Sequence, residues 1–297
     1  MYSTLISDDD AMVDRAKRRA GSLSASVRDQ VDAFRLDAAP SGCLLLKGMP
    51  IGELPPTPAT PTAITSKTRA TELLILSVGS LLGEPVGYQP EHGGDVVQNL
   101  VPVHSSSTRQ TSTSSKVNLM FHTEAAFHPH RPKYLLLLCL RGDPSARTTV
   151  ASVHAALPHL SDDVVDVLFQ TRFRCAVDES YLHGRANSLG APMAVLCGDR
   201  ANPAMVFDED LMVGTDEVAD AALRALGSAL SARHDGIVLE AGDLVILDND
   251  MVVHGRSPFE PRFDGTDRWL QRAMVVTDLA ASEGERVGRT ITTVFGD

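Results

Sequence analysis

The sequence predicts an α+β protein with a mainly β core, a jelly roll or distorted barrel with helices packed outside it. Strand-like runs fall into two groups, at about 96–153 and 193–277, with helical stretches before and between them. The regular strand–helix alternation and glycine-rich first turn of a doubly wound sheet are not visible. A length of 297 residues suits one large domain. The whole of 1–297 therefore reads as a single unit, with residues 1–40 as a helical segment packing outside the core.

Each element has a local cause. Residues 11–36 alternate apolar and charged side chains at helical spacing and break near Gly21, giving one or two amphipathic helices. "CLLLKG" at 43–48 is a short strand, and the stretch "LPPTPATPTAITSK" has too many prolines for regular structure and reads as a surface loop. A helix over about 68–82 stops at Gly83, with Pro85 just beyond it. Strands follow at 96–103, 116–124, 134–140 and 148–153, with a mobile Ser/Thr-rich loop at 105–115. Helices return at 154–170 and 216–234, and strands at 193–197, 204–207, 236–240, 243–248, 251–254 and 268–277. In "GDLVILDNDMVVHG" the Asn249-Asp250 pair reads as the tight turn of a hairpin that leaves His254 at a strand end.

The composition narrows the function. Acidic residues outnumber basic ones 38 to 27, a formal charge of −11, which argues against nucleic-acid or anionic-membrane partners. Cys43, Cys139, Cys175 and Cys197 form no Cys-x-x-Cys pair, so neither a zinc knuckle nor a redox dithiol is expected. The N-terminal residues lack a basic stretch followed by an apolar one, and the longest apolar runs are shorter than the roughly 20 residues of a membrane span. A cytoplasmic protein with reduced thiols is the expectation.

His122 and Glu124 close a strand-like run, where residues two apart face the same side and can present an imidazole and a carboxylate to one point. His-x-Glu alone is weak, since polar residues on an edge strand are commonplace. His254 changes its weight, because a barrel brings distant strands together. Two histidines and a carboxylate are the facial triad of non-heme Fe(II) oxygenases, which leaves three coordination positions for a bidentate 2-oxo acid and O2. His104, His128 and His130 compete, but "FHPHRP" reads as a turn, which makes His128 and His130 supporting or surface residues. Arg268 and Arg272, four apart on a strand, share a face and suit two carboxylates, one on a cosubstrate and one on a substrate.

The segments "FHTEAAFHPHRP", "TTVAS" and "GDLVILDNDMVVHGRSPFEPRFDGTDRWLQR" resemble the clavaminate synthase-like branch of the Fe(II)/2-oxoglutarate dioxygenases, and within it the free amino-acid hydroxylases acting on arginine, lysine or asparagine. The resemblance covers roughly residues 40–280. It implies a double-stranded β-helix (jelly roll) with iron on His122, Glu124 and His254. Arg268 would hold the distal carboxylate of 2-oxoglutarate, assisted by Thr148, which fits the family spacing better than Thr149. Arg272 would hold the substrate α-carboxylate, Gln98 and Glu124 its amino group, and acidic residues of "MVFDEDLM" its side chain. The segment 176–185 resembles a lid. The implied activity is hydroxylation of an unactivated C–H bond, with release of succinate and CO2. The carboxylate of Glu124 favours hydroxylation, or desaturation, over halogenation, in which relatives carry a small residue at that position.

The expected substrate is a free basic L-amino acid, lysine or arginine. Asp208 and Asp210 would share a strand face and need a cation to offset their desolvation. An asparagine-type or carrier-tethered amino acid is the alternative, with an acidic surface turn as the plain reading of "DED". From another class, a zinc hydrolase with the same ligands would need a general base beside a metal-bound water and would have no use for two arginines on one strand.

Overall fold

The computed structural model describes residues 2–63, 68–182 and 184–296, with side chains of the first helix described from residue 8 onward. Residues 64–67 of the predicted proline-rich loop and His183 of the lid-like segment lie outside the described residues. Helices α1 (Tyr2–Ala20) and α2 (Ala25–Leu36) part at Gly21, and Ser24 caps the second by accepting from the Val27 amide. After β1 (Cys43–Leu46), helix α3 (Arg69–Leu82) ends at Gly83.

Strand β2 (Glu84–Tyr88), which the sequence did not suggest, starts directly after that cap and leads to β3 (Val97–Leu100), β4 (Leu119–His122), β5 (Tyr134–Arg141) and β6 (Arg147–Ser152). The single helix expected over 154–170 is two, α4 (Val153–Ala156) and α5 (Asp162–Leu168). Pro158 offers no amide hydrogen and Leu160 is extended, which splits them. Next come β7 (Phe173–Cys175), α6 (Glu179–Leu182), β8 (Leu196–Asp199), β9 (Asn202–Met205) and β10 (Met212–Gly214). Helix α7 (Glu217–Ala232) is capped by Asp216, and β11 (Asp235–Val238), β12 (Leu244–Asp248), β13 (Val252–Arg256), β14 (Trp269–Val276), β15 (Arg286–Val287) and β16 (Thr290–Ile291) complete the chain.

Two sheets make the jelly roll. The larger runs β1-β12-β5-β14-β2-β16-β15 with β3 also on β14, and the smaller runs β11-β6-β13-β4. Strict alternation sorts the β5 side chains. Leu136, Leu138 and Leu140 face outward onto α1, α2 and α3, in a core shared with Val13, Val31, Phe34 and Ile75. Leu135, Leu137 and Cys139 face inward, with Val245 and Leu247 of β12 and Leu270 and Met274 of β14. A third cluster lies behind the small sheet, where Ala151 and Val253 pack on Leu223, Leu226 and Leu230 of α7.

One expectation is corrected here. The Asn249-Asp250 turn does not make a hairpin: β12 pairs with β1 and β5, whereas β13 pairs with β6 and β4. The turn carries the chain from one sheet to the other, and His254 sits mid-strand. A two-residue turn signal marks a reversal but leaves the partners of its strands open.

Candidate active site

The small sheet places the first two candidate ligands. His254 pairs with Val150 of β6 on one side and His122 of β4 on the other, so both imidazoles project inward from neighbouring strands. Their ring centroids lie 4.3 Å apart. Gly255 follows because an added Cβ would lie 2.4 Å from the Leu119 carbonyl oxygen. Glu124 arrives by a different route from the one expected. The strand stops at His122, and residues 124–127 turn, with Ala125 at φ 51°. The buried Asn249 side chain sets that turn: its Oδ1 accepts from the Glu124 amide at 2.8 Å, and its Nδ2 donates to the carbonyls of Glu124 (3.1 Å) and Pro132 (2.9 Å).

The result is a cluster of His122, Glu124 and His254 whose ligand atoms all lie within 4.8 Å of one another. Its donors fit a divalent metal. The Met120 carbonyl sits 2.9 Å from His122 Nδ1; a carbonyl can only accept, so Nδ1 carries the hydrogen and Nε2 keeps its lone pair. Burial, then the neighbouring His122 and Arg272, hold His254 well below its ordinary pKa, so it is the neutral imidazole that a metal needs. Glu124 Oε2 is buried without a hydrogen bond and lies 3.6 Å from His254 Nε2. Such an orphaned carboxylate oxygen is what a cation would satisfy.

The cavity above the cluster has a volume of about 280 Å³. Alternation along β14 sends Leu270 and Arg272 into it, and Arg268, just before the strand begins, also lines it. The Arg272 guanidinium donates to Glu124 Oε1 (3.0 Å), to Glu91 Oε2 (2.7 Å) and to Gln98 Oε1 (2.9 Å from Nε). Burial disfavours its charge, yet the two carboxylates raise its pKa above normal. Gln98 is directly opposite Arg272 in the β3–β14 register, which explains a correction. The Gln98 oxygen is taken by the guanidinium and the residue does not line the cavity, although its Nε2 is buried without a hydrogen-bond partner; Glu91, which the sequence reading passed over, does line it.

Thr148 and Arg256 are cross-strand neighbours on the inward face of the small sheet, while Thr149 lies beside Gly255. Thr148 Oγ1 lies 3.4 Å from Arg268 Nη2. Arg268 is buried, which lowers its pKa, and among the described residues it makes no ion pair. Arg256, also missed, is buried too, and burial followed by Arg268 lowers its pKa to about 9. It donates to the Ser114 carbonyl, to Ser114 Oγ (3.0 Å) and to the Val117 carbonyl (3.3 Å), and it stacks over Phe259. Two inward guanidiniums without a carboxylate leave a positive potential that calls for an anion.

The loop expected to be mobile is pinned by Arg256, and its residues Gln110–Thr113 line the cavity. Asp208 and Asp210 do not share a strand face. Asp208 bridges to His122, and its Oδ1 accepts from the amides of Asp210 (3.0 Å) and Leu211 (2.8 Å), closing a turn. An Asp side chain that bonds its own backbone two residues on ends a strand rather than extending it. Asp208 is buried, which raises its pKa against the opposing effect of His122, whereas Asp210 is exposed at the rim. His128 is buried in a cluster of aromatic rings rather than at the surface, and His104 is exposed.

Comparison with known proteins points the same way. Residues 20–188 and 194–274 match the family described as Taurine catabolism dioxygenase TauD, TfdA family. The chain is 39% identical to the L-asparagine oxygenase of Streptomyces coelicolor over 94% of its own length and 84% of that protein. It is 35% identical to the L-lysine 3-hydroxylase of Catenulispora acidiphila over 95% of its length and 80% of that protein. A crystal structure of asparagine oxygenase with Fe(II), 2S,3S-3-hydroxyasparagine and succinate superimposes with a TM-score of 0.88 at 37% identity, covering 94% of this chain and 88% of that one.

Proposed function

The chain belongs to the TauD, TfdA dioxygenase family, and from that premise we propose that it is an Fe(II)- and 2-oxoglutarate-dependent hydroxylase of a free basic L-amino acid. The observation that carries the reading is one cavity lined by the His122–Glu124–His254 cluster, a buried Arg268 without a carboxylate partner, an Arg272 flanked by two carboxylates, and the buried Asp208. When bound, Fe(II) with 2-oxoglutarate supplies the activation of O2 for C–H hydroxylation, with succinate and CO2 as co-products.

The protein's own groups bind, orient and exclude water. Arg268 and Thr148 hold the distal carboxylate of 2-oxoglutarate, and Arg256 adds to the positive potential there. Arg272 pairs with the substrate α-carboxylate, and Glu91 and Glu124 accept from the α-ammonium. A zwitterion suits this end because it brings one charge of each sign to a guanidinium between two carboxylates. The side chain then points toward Asp208, with Asp210 at the rim, where an ammonium or guanidinium offsets the buried carboxylate. An amide side chain is the second reading, favoured by the exposure of Asp210, which leaves one buried acid rather than two.

The test begins anaerobically. Fe(II) and 2-oxoglutarate added to the protein should produce the weak visible metal-to-ligand band, and its absence at saturation would favour a zinc or structural role. A screen of the free L-amino acids, read as a 2-oxoglutarate-dependent mass gain of one oxygen, then identifies the substrate. Lysine or arginine is expected, and Asp208→Asn should lose most activity on it. An uncharged preferred substrate, or an unaffected Asp208→Asn variant, would refute the acidic pocket and leave the oxygenase reading intact.

A further inference from the structure

The C-terminal tail reaches the cavity through a relay of rings. Phe295 packs edge-on against Phe127 (centroids 5.1 Å apart, 86°), His128 (5.1 Å, 69°) and Tyr181 (6.1 Å, 76°). Phe127 and Tyr181 also meet edge-on at 4.9 Å, and both line the cavity. Phe127 ends the turn that begins at Glu124, while Tyr181 belongs to α6, which with Asp178 and Ser180 forms one wall of the cavity. The Tyr181 hydroxyl lies 3.5 Å from Glu91 Oε2, the carboxylate that holds Arg272. Burial, then Glu91, raises the Tyr181 pKa well above normal, so the phenol stays protonated and donates.

The tail is itself anchored. Thr293 Oγ1 donates to Glu285 Oε2 at 2.6 Å, the Thr292 amide donates to the Glu285 carbonyl at 2.7 Å, and Glu285 pairs with His130 at 3.5 Å. At Gly296, φ 79°, an added Cβ would lie 2.8 Å from the Ala186 carbonyl oxygen and 3.2 Å from Leu182, so the chain end presses on the segment around α6. The tail lies beyond residue 274, where the family match ends.

We propose that Phe295 is a positioning residue for the substrate amino group: it seats Tyr181, which in turn orients Glu91 beside Arg272. This deepens the hydroxylase reading and rests on it for its kinetic consequence, while the mechanical part stands on the contacts alone. Removing the ring takes away one of the four rings around Tyr181, with Tyr88, Phe127 and His128 remaining, so the wall formed by residues 177–182 loosens and the already long Tyr181–Glu91 hydrogen bond weakens. His122, His254 and the Arg268 subsite are on other elements, and Glu124, though it begins the turn that Phe127 ends, is held by Asn249, so these stay in place.

Hydrogen–deuterium exchange of the whole chain without ligand tests the mechanical part. Phe295→Ala should speed exchange in residues 177–182 by about threefold or more, a loss comparable with one edge-on ring pair, and leave β5 and β12 unchanged. Phe295→Tyr should restore the wild-type rate. With the amino acid identified by the screen, Phe295→Ala should raise its KM about tenfold, with kcat and the KM for 2-oxoglutarate within about twofold. Unchanged exchange in 177–182 would overturn the proposal, as would a kcat loss with the amino-acid KM unmoved. Should Phe295→Ala fail to fold, Phe295→Leu keeps the apolar volume without the ring edge and carries the same comparison. If no amino acid is hydroxylated, the hydroxylase reading fails and the exchange result alone decides whether the tail seats the wall.

Discussion

At the scale of single residues, charge placement separates Arg272 of β14 from Arg268 just before it. Arg272 is balanced by Glu124 and Glu91, whereas Arg268 touches Thr148 and the face of Phe259. An arginine buried without a carboxylate partner among the described residues suits one that comes from outside. Arg268→Ala should weaken 2-oxoglutarate binding by roughly a hundredfold or more, the equivalent of about 3–5 kcal/mol for breaking a buried pair, as read by anaerobic titration of the visible band. A change below about threefold would place the cosubstrate elsewhere. His122→Ala should abolish tight Fe(II) binding and turnover while the far-ultraviolet circular dichroism is retained, and full iron content in that variant would break the ligand assignment. The residue types were legible in the sequence, but the period of two was not what placed them: β4 ends at His122 and Glu124 follows in a turn, and Arg268 precedes β14. The place of Gln98 was not legible, since its partner depends on the β3–β14 register, a long-range pairing that no local pattern encodes.

At the scale of elements, the chain departs from simple alternation where the site needs it to. Glu124 follows the end of β4, and its backbone is held by Asn249 at the crossing from β12 to β13. The sequence marks Asn249 as a turn residue, correctly, but its second task, clamping a segment 125 residues away, has no local signature. Asn249→Ala should leave the Glu124 amide and carbonyl without partners. At about 1–3 kcal/mol for an orphaned buried group, urea unfolding should show a loss of about 2–4 kcal/mol, and Fe(II) affinity should fall with it. An Asn249→Ala protein with wild-type stability and iron affinity would mean that the turn at 124–127 holds itself. The DED segment shows the opposite failure of a local rule: alternation holds only along a strand, and Asp208, in an isolated bridge beyond the end of β9, bonds its own backbone and turns the chain.

For the whole molecule, acidity and burial set the response to pH. His128 is fully buried among Tyr88, Phe127, Tyr181 and Phe295, and burial followed by the neighbouring His130 lowers its pKa from 6.5 to about 3. Above pH 6.5 the residue is neutral in both folded and unfolded chains and costs nothing. As the pH falls from there toward 3, the unfolded chain takes up a proton that the folded one refuses, at about 1.4 kcal/mol per pH unit. The stability difference between wild type and His128→Leu should therefore narrow by that slope over this window, measured by urea unfolding at a series of pH values. A difference independent of pH would show that His128 takes up its proton inside the fold. The layers themselves were readable from composition and periodicity, but the assignment of each strand to its sheet was not, because pairing is decided by contacts made far along the chain. That separation has a consequence for synthesis. His122 and Glu124 leave the ribosome well before Asn249 and His254, and at about 5–20 residues per second the interval is on the order of ten seconds. Throughout that time the nascent chain has His122 and Glu124 but neither the Asn249 clamp nor His254, so the three-residue cluster can form only once the C-terminal half has emerged.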